Sequence, residues 1–281
     1  MRFKRVYIEI TNTCNLACSF CIQNSRPAHR MSIDEFKHVI KEVKPYTKHV
    51  YFHVLGEPLS HPDLATFLQI CKEANIEVII TTNGTLLKKQ CDVLANAGCI
   101  RQLNVSLHSF PQHEQPNYLK DVFASSKILV ASGIHVNYRL WSLVDQHLTK
   151  ETQVIFDKIK EYYQVSFDQE TLKRMMRIDL ADHLHLHFET IFTWPSLNLP
   201  YLSDHGTCLG MKTMCGILSD GSVVPCCLDT KGDMNLGNIF QTPLKDIVES
   251  KRCEAMRIGF QNRKLSEELC KHCSYRLRFD K

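Results

Sequence analysis

The stretch Val6-Tyr7-Ile8-Glu9-Ile10-Thr11-Asn12-Thr13-Cys14-Asn15-Leu16-Ala17-Cys18-Ser19-Phe20-Cys21 decides the fold. Val6 to Ile10 reads as a β-strand, rich in β-branched residues, and it runs straight into a loop with three thiols in eight residues. Outward from it, short β-branched runs alternate with helical periods as far as about residue 190. The spacing predicts strands at Val6 to Ile10, Val50 to Leu55, Glu77 to Thr82, Gln102 to Leu107, His135 to Leu140 and His183 to Phe188. Helical periods fall at Ile33 to Val43, Leu64 to Ala74, Leu86 to Ala97, Leu119 to Ala131 and Gln153 to Tyr163. Ser32 suits a helix N-cap, and Gly98 and Gly133 follow helix ends. Repeated strand-helix units imply parallel strands joined by right-handed crossovers. The expected class is α/β, an open partial (β/α)6 TIM barrel, with a flat doubly wound sheet as the second choice. In a barrel the three-cysteine loop lies at the C-terminal mouth, where β/α folds place their chemistry.

Alternation along the strands assigns their faces. Ile8, Ile10, Val50, Phe52, Leu103, Val105, Leu107, Leu184, Leu186 and Phe188 form apolar rows suited to facing helices. The opposite rows carry Glu9, His53, Asn104, Ser106, His108, Asn137, Arg139, Trp141, His183, His185, His187 and Glu189. A lumen lined this way suits a polar substrate, because buried donors and acceptors need partners. The His183, His185 and His187 row reads first as a hydrogen-bonded ladder and only weakly as a metal site.

Composition bounds the function. With 44% hydrophobic and 23% charged residues, the 281-residue chain reads as globular, with room for one large or two unequal domains. A net charge of +4 is too small to argue for nucleic acid, and no run of about 18 apolar residues suggests a membrane span. Without a signal-peptide pattern, a cytoplasmic location is expected. Thirteen cysteines, an odd number clustered at both ends, then argue for metal or redox chemistry over a disulfide framework. Cys71, Cys91 and Cys99 stand singly by helical segments and read as buried apolar thiols. Residues 1–190 read as the barrel core and 191–207 as a linker, the less periodic stretch 164–207 serving as barrel completion and linker. Residues 208–281, rich in cysteine and glycine, read as a small appended domain with short helices near Leu244 to Ser250 and Ser266 to Cys270.

Three cysteines can hold three irons of a cubane and leave the fourth open to another ligand, whereas zinc normally wants four protein ligands. The spacing of Cys14, Cys18 and Cys21, with Phe20 before the last, resembles the CxxxCxxC signature of the radical SAM superfamily. Gly56-Glu57-Pro58 after the second strand resembles the motif that binds the methionine amino group of S-adenosylmethionine (SAM). Thr81-Thr82-Asn83-Gly84 and Val105-Ser106-Leu107-His108 end the third and fourth strands, where the family commonly contacts ribose or carboxylate. Asn83, Ser106 and Arg139 are therefore candidate SAM contacts, Arg139 because its fork suits a planar anion. Farther on, Cys208-x12-Gly221-x4-Cys226 and Cys270-x2-Cys273 resemble a truncated, twitch-like form of the SPASM extension. That resemblance implies one auxiliary 4Fe-4S cluster on Cys208, Cys226, Cys270 and Cys273, with Cys227 able to replace Cys226. Four cysteines in two knuckles would also suit zinc.

The resemblance implies a chemistry. SAM chelates the open iron of the first 4Fe-4S cluster, one electron cleaves its sulfonium, and the resulting 5'-deoxyadenosyl radical abstracts a substrate hydrogen. The electron donor would be of flavodoxin or ferredoxin type. Relatives of the twitch type include dehydrogenases of aminocyclitol alcohols, and SPASM relatives modify peptides. No leader-recognition domain precedes the first strand, which weighs against a peptide. Net oxidation of a polar substrate, with the auxiliary cluster accepting an electron, is the first expectation. An epimerase acting on a peptide or sugar is the alternative, with Cys215 or Cys227 returning a hydrogen atom. Glu9 is a candidate for handling the proton in the oxidation. A non-catalytic iron-sulfur carrier is the remote reading, since it leaves Gly56-Glu57-Pro58 unexplained.

Overall fold

The computed structural model describes residues 2–109, 115–144, 147–166, 176–191 and 193–280. Its strands are β1 (Arg5–Ile8), β2 (His49–Phe52), β3 (Glu77–Thr82), β4 (Ile100–Ser106), β5 (His135–Val144), β6 (His147–Leu148), β7 (Arg177–Ala181), β8 (Leu184–Thr190), β9 (Met214–Ile217) and β10 (Val223–Val224). The helices of the β/α pattern are α1 (Ile33–Val43), α2 (Leu64–Glu73), α3 (Leu87–Asn96), α4 (Tyr118–Ala131) and α5 (Lys150–Tyr163). The class is α/β with the open parallel sheet of a partial β/α barrel, followed by the cysteine-rich segment. Residues 167–175, within the stretch read as barrel completion, lie outside the described residues.

The chain forms two compact units. One gathers Met1–Cys14, Ile22–Glu77 and Phe192–Lys281. Its strands run β10-β9-β1-β2, with β1 parallel to both β2 and β9. Arg5 to Ile8 pair in register with Met214 to Ile217, so the cysteine-rich segment adds a strand directly to the first strand of the chain. Helix α1 starts at a capping box, with the Ser32 side chain accepting from the Glu35 amide and the Glu35 carboxylate accepting from the Ser32 amide. It then binds the C-terminal segment: His38 Nε2 bonds the Ile239 carbonyl at 2.9 Å, and Glu42 accepts from the Leu244 amide at 2.8 Å. That segment carries helices Leu244–Val248, Lys251–Gln261 and Glu268–Lys271. The sequence pattern had placed only the first and last, because the middle one has a weakly amphipathic sequence and just three buried residues, Cys253, Met256 and Phe260.

The other unit comprises Asn15–Cys21 and Val78–Ile191. Strands β3, β4, β5 and β8 are parallel neighbours in that order, and β7 closes antiparallel on β8. The β7–β8 hairpin is the departure from simple strand-helix repetition. The apolar rows meet helices as expected: Val105, Val136, Tyr138 and Leu186 are fully buried, Phe123 packs 5.7 Å from Tyr138, and Phe156 packs 5.8 Å from Phe188, ring to ring. Gly98 and Gly133, just past α3 and α4, take the left-handed backbone that ends a helix cheaply.

Candidate functional site

In the first unit, the loop leaving β1 is laced to the loop leaving β2. Gly56 has a φ of +76°, and a side chain there would collide with the Thr11 carbonyl, so only glycine allows this approach. The Glu57 amide donates to the Thr13 carbonyl at 3.0 Å, beside Cys14. The Glu57 carboxylate, 1% exposed, accepts from the Leu59 amide at 3.0 Å and so caps the turn Pro58–Ser60. A candidate SAM contact thus also organises its own loop.

Glu9 is fully buried and paired with Arg26, whose Nη2 reaches Oε1 at 2.7 Å. The same carboxylate accepts from the amides of Leu55 at 3.2 Å and Ser219 at 3.0 Å. Arg26 also donates to the Thr230 carbonyl at 2.8 Å. Burial pushes the Glu9 carboxyl up, while the Arg26 charge and the Ser219 amide pull it down. A group held by this many partners ties distant segments of the chain together. Cys215, one of the two candidate hydrogen donors, is buried as well. It sits in β9 with no exposed surface, near Cys253, and burial raises its thiol.

Cys227 is placed differently. It packs half-buried against a cluster of Tyr7, Val54, Met214, Leu218 and Val224. Burial drives its thiol up to about 11 against the opposing effects of a Tyr7 hydrogen bond and the Arg5 charge. Its neighbour Cys226 faces three other thiols: burial raises it, and negative charge on Cys227, Cys208 and Cys270 raises it further. Cys270 responds in the same way to Cys208 and Cys273, and Cys273 to Cys208. Cys208, Cys226, Cys270 and Cys273 are therefore electrostatic neighbours in one unit, and none of the thirteen cysteines is in a disulfide. Among the described residues, no three His, Cys, Asp or Glu side chains converge as tightly as a single ion requires. The buried guanidinium of Arg276 braces the set, donating to the Cys270 carbonyl at 2.9 Å and to Asp280 at 2.8 Å. Asp229, pushed up to about 6 by burial, shapes the loop after Cys227 by accepting from the amides of Asp233 and Met234.

In the second unit, segment 15–21 docks on the ends of β3 and β4. Asn83 donates to Asn15 at 2.9 Å, Asn15 donates to Thr85 at 2.8 Å, and Thr85 Oγ1 donates back to Asn83 at 2.7 Å, a closed ring of side chains. The Tyr118 hydroxyl fixes the Asn83 carbonyl at 2.8 Å. The Cys18 thiol reaches the Ser109 carbonyl at 3.0 Å, and Phe20 lies 4.9 Å from the His108 ring. Ser106 and Arg139 are register partners on β4 and β5, and Arg139 lies 4.4 Å over the Trp141 ring. Sequence reading missed Asn15, Thr85, Arg26 and Arg276 as positioning residues. Only Asn15, lying inside the cysteine motif, carried a local signal.

Soft thiolate donors suit iron-sulfur chemistry, and the gathering of Cys226, Cys270 and Cys273 around Cys208 fits an iron-sulfur cluster. Comparison with known proteins narrows the class. Residues 8–143 match the radical SAM superfamily profile, and residues 208–274 match SPASM, an iron-sulfur cluster-binding domain. The chain belongs to the radical SAM superfamily, and its cofactors are SAM and 4Fe-4S clusters. It is 28% identical over 196 residues to the AdoMet-dependent heme synthase of Methanosarcina barkeri, covering 66% of this chain and 56% of that protein. A GTP 3',8-cyclase of Chlorobaculum tepidum is 32% identical over 113 residues, 39% of this chain and 34% of that one. The chain thus spans about half the length of these curated relatives, or less. The crystal structure of BtrN in complex with AdoMet and 2-DOIA superposes with a TM-score of 0.63 at 18% identity, over 98% of this chain and 94% of that one. Streptococcus suis SuiB bound to precursor peptide SuiA gives 0.63 at 17% identity, over 97% and 70%. At these identities the likeness is one of fold. Among the described residues, no helix is long and apolar enough to cross a membrane.

Proposed function

We propose that this radical SAM enzyme carries out a net oxidation of a polar substrate, with one auxiliary 4Fe-4S cluster accepting an electron. The observation that carries the reading is that the half-buried thiols of Cys226, Cys270 and Cys273 each feel the charge of Cys208. Four protein ligands complete a cubane and leave no iron for substrate, so electron transfer is the simplest task for it. Cys14, Cys18 and Cys21 would hold the other cluster. With SAM, that cluster supplies a 5'-deoxyadenosyl radical that takes a hydrogen atom from the substrate. Gly56 and Glu57 would orient the methionine ammonium, Arg139 its carboxylate, and Asn83 and Ser106 the remaining polar edge. Phe20 would shield the cysteine loop from water. Thirteen cysteines outside any disulfide suit a reducing, cytoplasmic setting and a flavodoxin- or ferredoxin-type electron donor.

The test is anaerobic incubation of the reconstituted protein with SAM and dithionite. Iron should approach about eight per chain and 5'-deoxyadenosine should form. Replacing Cys14, Cys18 and Cys21 together with alanine should abolish cleavage and leave about four irons. Retained cleavage in that variant defeats the ligand assignment. The Tyr7 hydrogen bond to the half-buried Cys227 favours one second reading, an epimerase in which Cys227 returns the hydrogen atom. Under the oxidative reading, Cys227→Ala keeps making product. Loss of stereoinversion in solvent deuterium, with both clusters intact, would put the epimerase in its place.

A further inference from the structure

Three segments of the first unit that lead into neighbouring strands carry charge of one sign. Residues 2–8, 44–50 and 209–217 hold six lysines and arginines, Arg2, Lys4, Arg5, Lys44, Lys48 and Lys212, and no aspartate or glutamate. Backbone bonds gather them at one end of the sheet. The Lys4 and Arg5 amides donate to the Thr213 carbonyl at 2.8 and 3.1 Å, and the Phe3 amide donates to the Tyr46 carbonyl at 2.7 Å. Val6 pairs with Val50 and Arg5 with Met214, so Lys4 stands between Lys48 and Thr213 just before the paired rows. Neighbouring strands lie about 4.8 Å apart, so these three backbones span about 10 Å. Arg2, Lys4, Arg5 and Lys48 are exposed and Lys212 is half-buried. Among the described residues, Lys4, Lys48 and Lys212 make no ion pair. The acids bordering the patch are engaged beside it: Glu77 Oε2 lies 2.9 Å from His49 Nδ1, Glu42 accepts from the Leu244 amide, and Asp246 and Glu249 act with Glu42 on Tyr46. Charge of one sign concentrated in this way attracts an oppositely charged partner and speeds its arrival.

The patch adjoins the auxiliary cysteines. Lys212 lies in the turn that folds back from Cys208, its amide donating to the Leu209 carbonyl at 3.1 Å, and its charge acts on the Cys208 thiol. The Arg5 charge acts on Cys227, the neighbour of Cys226. We propose that this patch docks a one-electron carrier with an acidic surface, of the flavodoxin or ferredoxin type, which takes electrons from the auxiliary cluster. The inference rests on the net oxidation proposed above and deepens it by naming the surface through which the electron leaves. In that oxidation the substrate loses two electrons and two protons: a hydrogen atom goes to the 5'-deoxyadenosyl radical, a proton to solvent and the second electron to the auxiliary cluster. Each turnover thus ends with an electron that a carrier must remove. The carrier oxidised in starting SAM cleavage is of the right class to take it. Charges of this kind govern how fast short-lived partners meet and how steeply salt slows them. The position of the patch beside the redox cysteines favours a carrier over other polyanions.

The test mixes oxidised flavodoxin with the anaerobic Cys14→Ala/Cys18→Ala/Cys21→Ala protein, reduced with titanium(III) citrate and desalted, so that the auxiliary cluster is the sole electron donor. Stopped-flow absorbance follows the flavin semiquinone formed as the cluster gives up its electron. Lys4→Gln/Lys48→Gln/Lys212→Gln in that background should lower the second-order rate constant about tenfold or more at about 0.01 M salt, where charges act over about 30 Å. The difference should close toward about 1 M salt, where screening acts within about 3 Å. Lys127→Gln/Lys150→Gln/Lys158→Gln, on α4 and α5 of the second unit, removes the same charge and should leave the rate in place. Calorimetric titration of wild-type holoenzyme with oxidised flavodoxin should rank the same lysine variants alike, and it decides the matter if the cysteine variant holds no iron. Lys48→Gln alone, at an exposed site, should show a smaller loss of the same sign, and it stands in if circular dichroism finds the triple lysine variant unfolded. Unchanged rate and affinity in the patch variants, or an equal loss in the control, overturns the docking surface. Tighter binding of a short DNA duplex than of flavodoxin, lost in the patch variant, overturns the choice of partner. Electron paramagnetic resonance of the auxiliary cluster during turnover reports separately on the net oxidation.

Discussion

Glu57 caps its own turn and, in the function proposed above, also holds the methionine ammonium, and its variants separate the two tasks. Glu57→Ala removes the cap on Leu59, which alone costs about 1 kcal/mol, so a loss of SAM binding in that variant would mix folding with recognition. Glu57→Gln keeps an acceptor for the Leu59 amide and removes only the charge. A charge-assisted hydrogen bond is worth roughly 1.5 to 3 kcal/mol, so Glu57→Gln should hold its melting temperature and bind SAM about tenfold or more weakly. Unchanged SAM affinity in anaerobic equilibrium binding would remove Glu57 from the site. Residues of this kind were legible in part. The cysteine spacing and Gly56-Glu57-Pro58 are local patterns, so a strand followed by a motif suffices to find them. Asn15, Thr85 and Asn83 form a ring whose members come from segments 68 and 70 residues apart, and nothing in either segment alone announces the bond.

At the scale of elements, helix α1 and strand β3 lie where periodicity and caps placed them, because each carries its own start and stop signals. The β7–β8 hairpin escaped, since Arg177–Ala181 is only five residues long and its alternation gains meaning only beside β8. Between elements, the turn before α2 gives a pH-dependent prediction. His61 is 2% exposed, with Nε2 bonded to the Met31 carbonyl at 3.1 Å and Nδ1 accepting from the Asp63 amide at 3.1 Å. Only the neutral ring with its proton on Nε2 satisfies both partners. Burial accordingly lowers its pKa from 6.5. A depressed histidine takes up a proton more readily in the unfolded chain. Its contribution to stability is therefore full above the unfolded value and is lost as pH falls below it. Between about pH 7.5 and about pH 5.5 the melting temperature of wild type should fall more than that of His61→Gln, whose amide does not titrate. Parallel curves for the two proteins would show that His61 is not the group responsible.

Across the whole chain, segments far apart in sequence meet at Glu9. Its carboxylate joins β1 to Arg26, to Leu55 after β2 and, 210 residues away in sequence, to Ser219 after β9. Position in the sequence made Glu9 look like a catalytic group, because a carboxylate on a polar strand row beside a cysteine motif is where an acid or base would stand. The partners that make it a buried tie lie outside any local window. The two roles predict different variants. A proton carrier replaced by glutamine would keep both clusters and SAM cleavage and lose only product. A buried tie behaves otherwise: Glu9→Gln leaves the Arg26 charge without its counterion, and breaking a buried pair in this way costs about 3 to 5 kcal/mol. Glu9→Gln should therefore lower the urea midpoint, and iron should be lost from Cys208, Cys226, Cys270 and Cys273 as well, because β9 and β1 share one sheet in that unit. Normal iron content and stability, with product formation alone abolished, would place Glu9 among the catalytic residues.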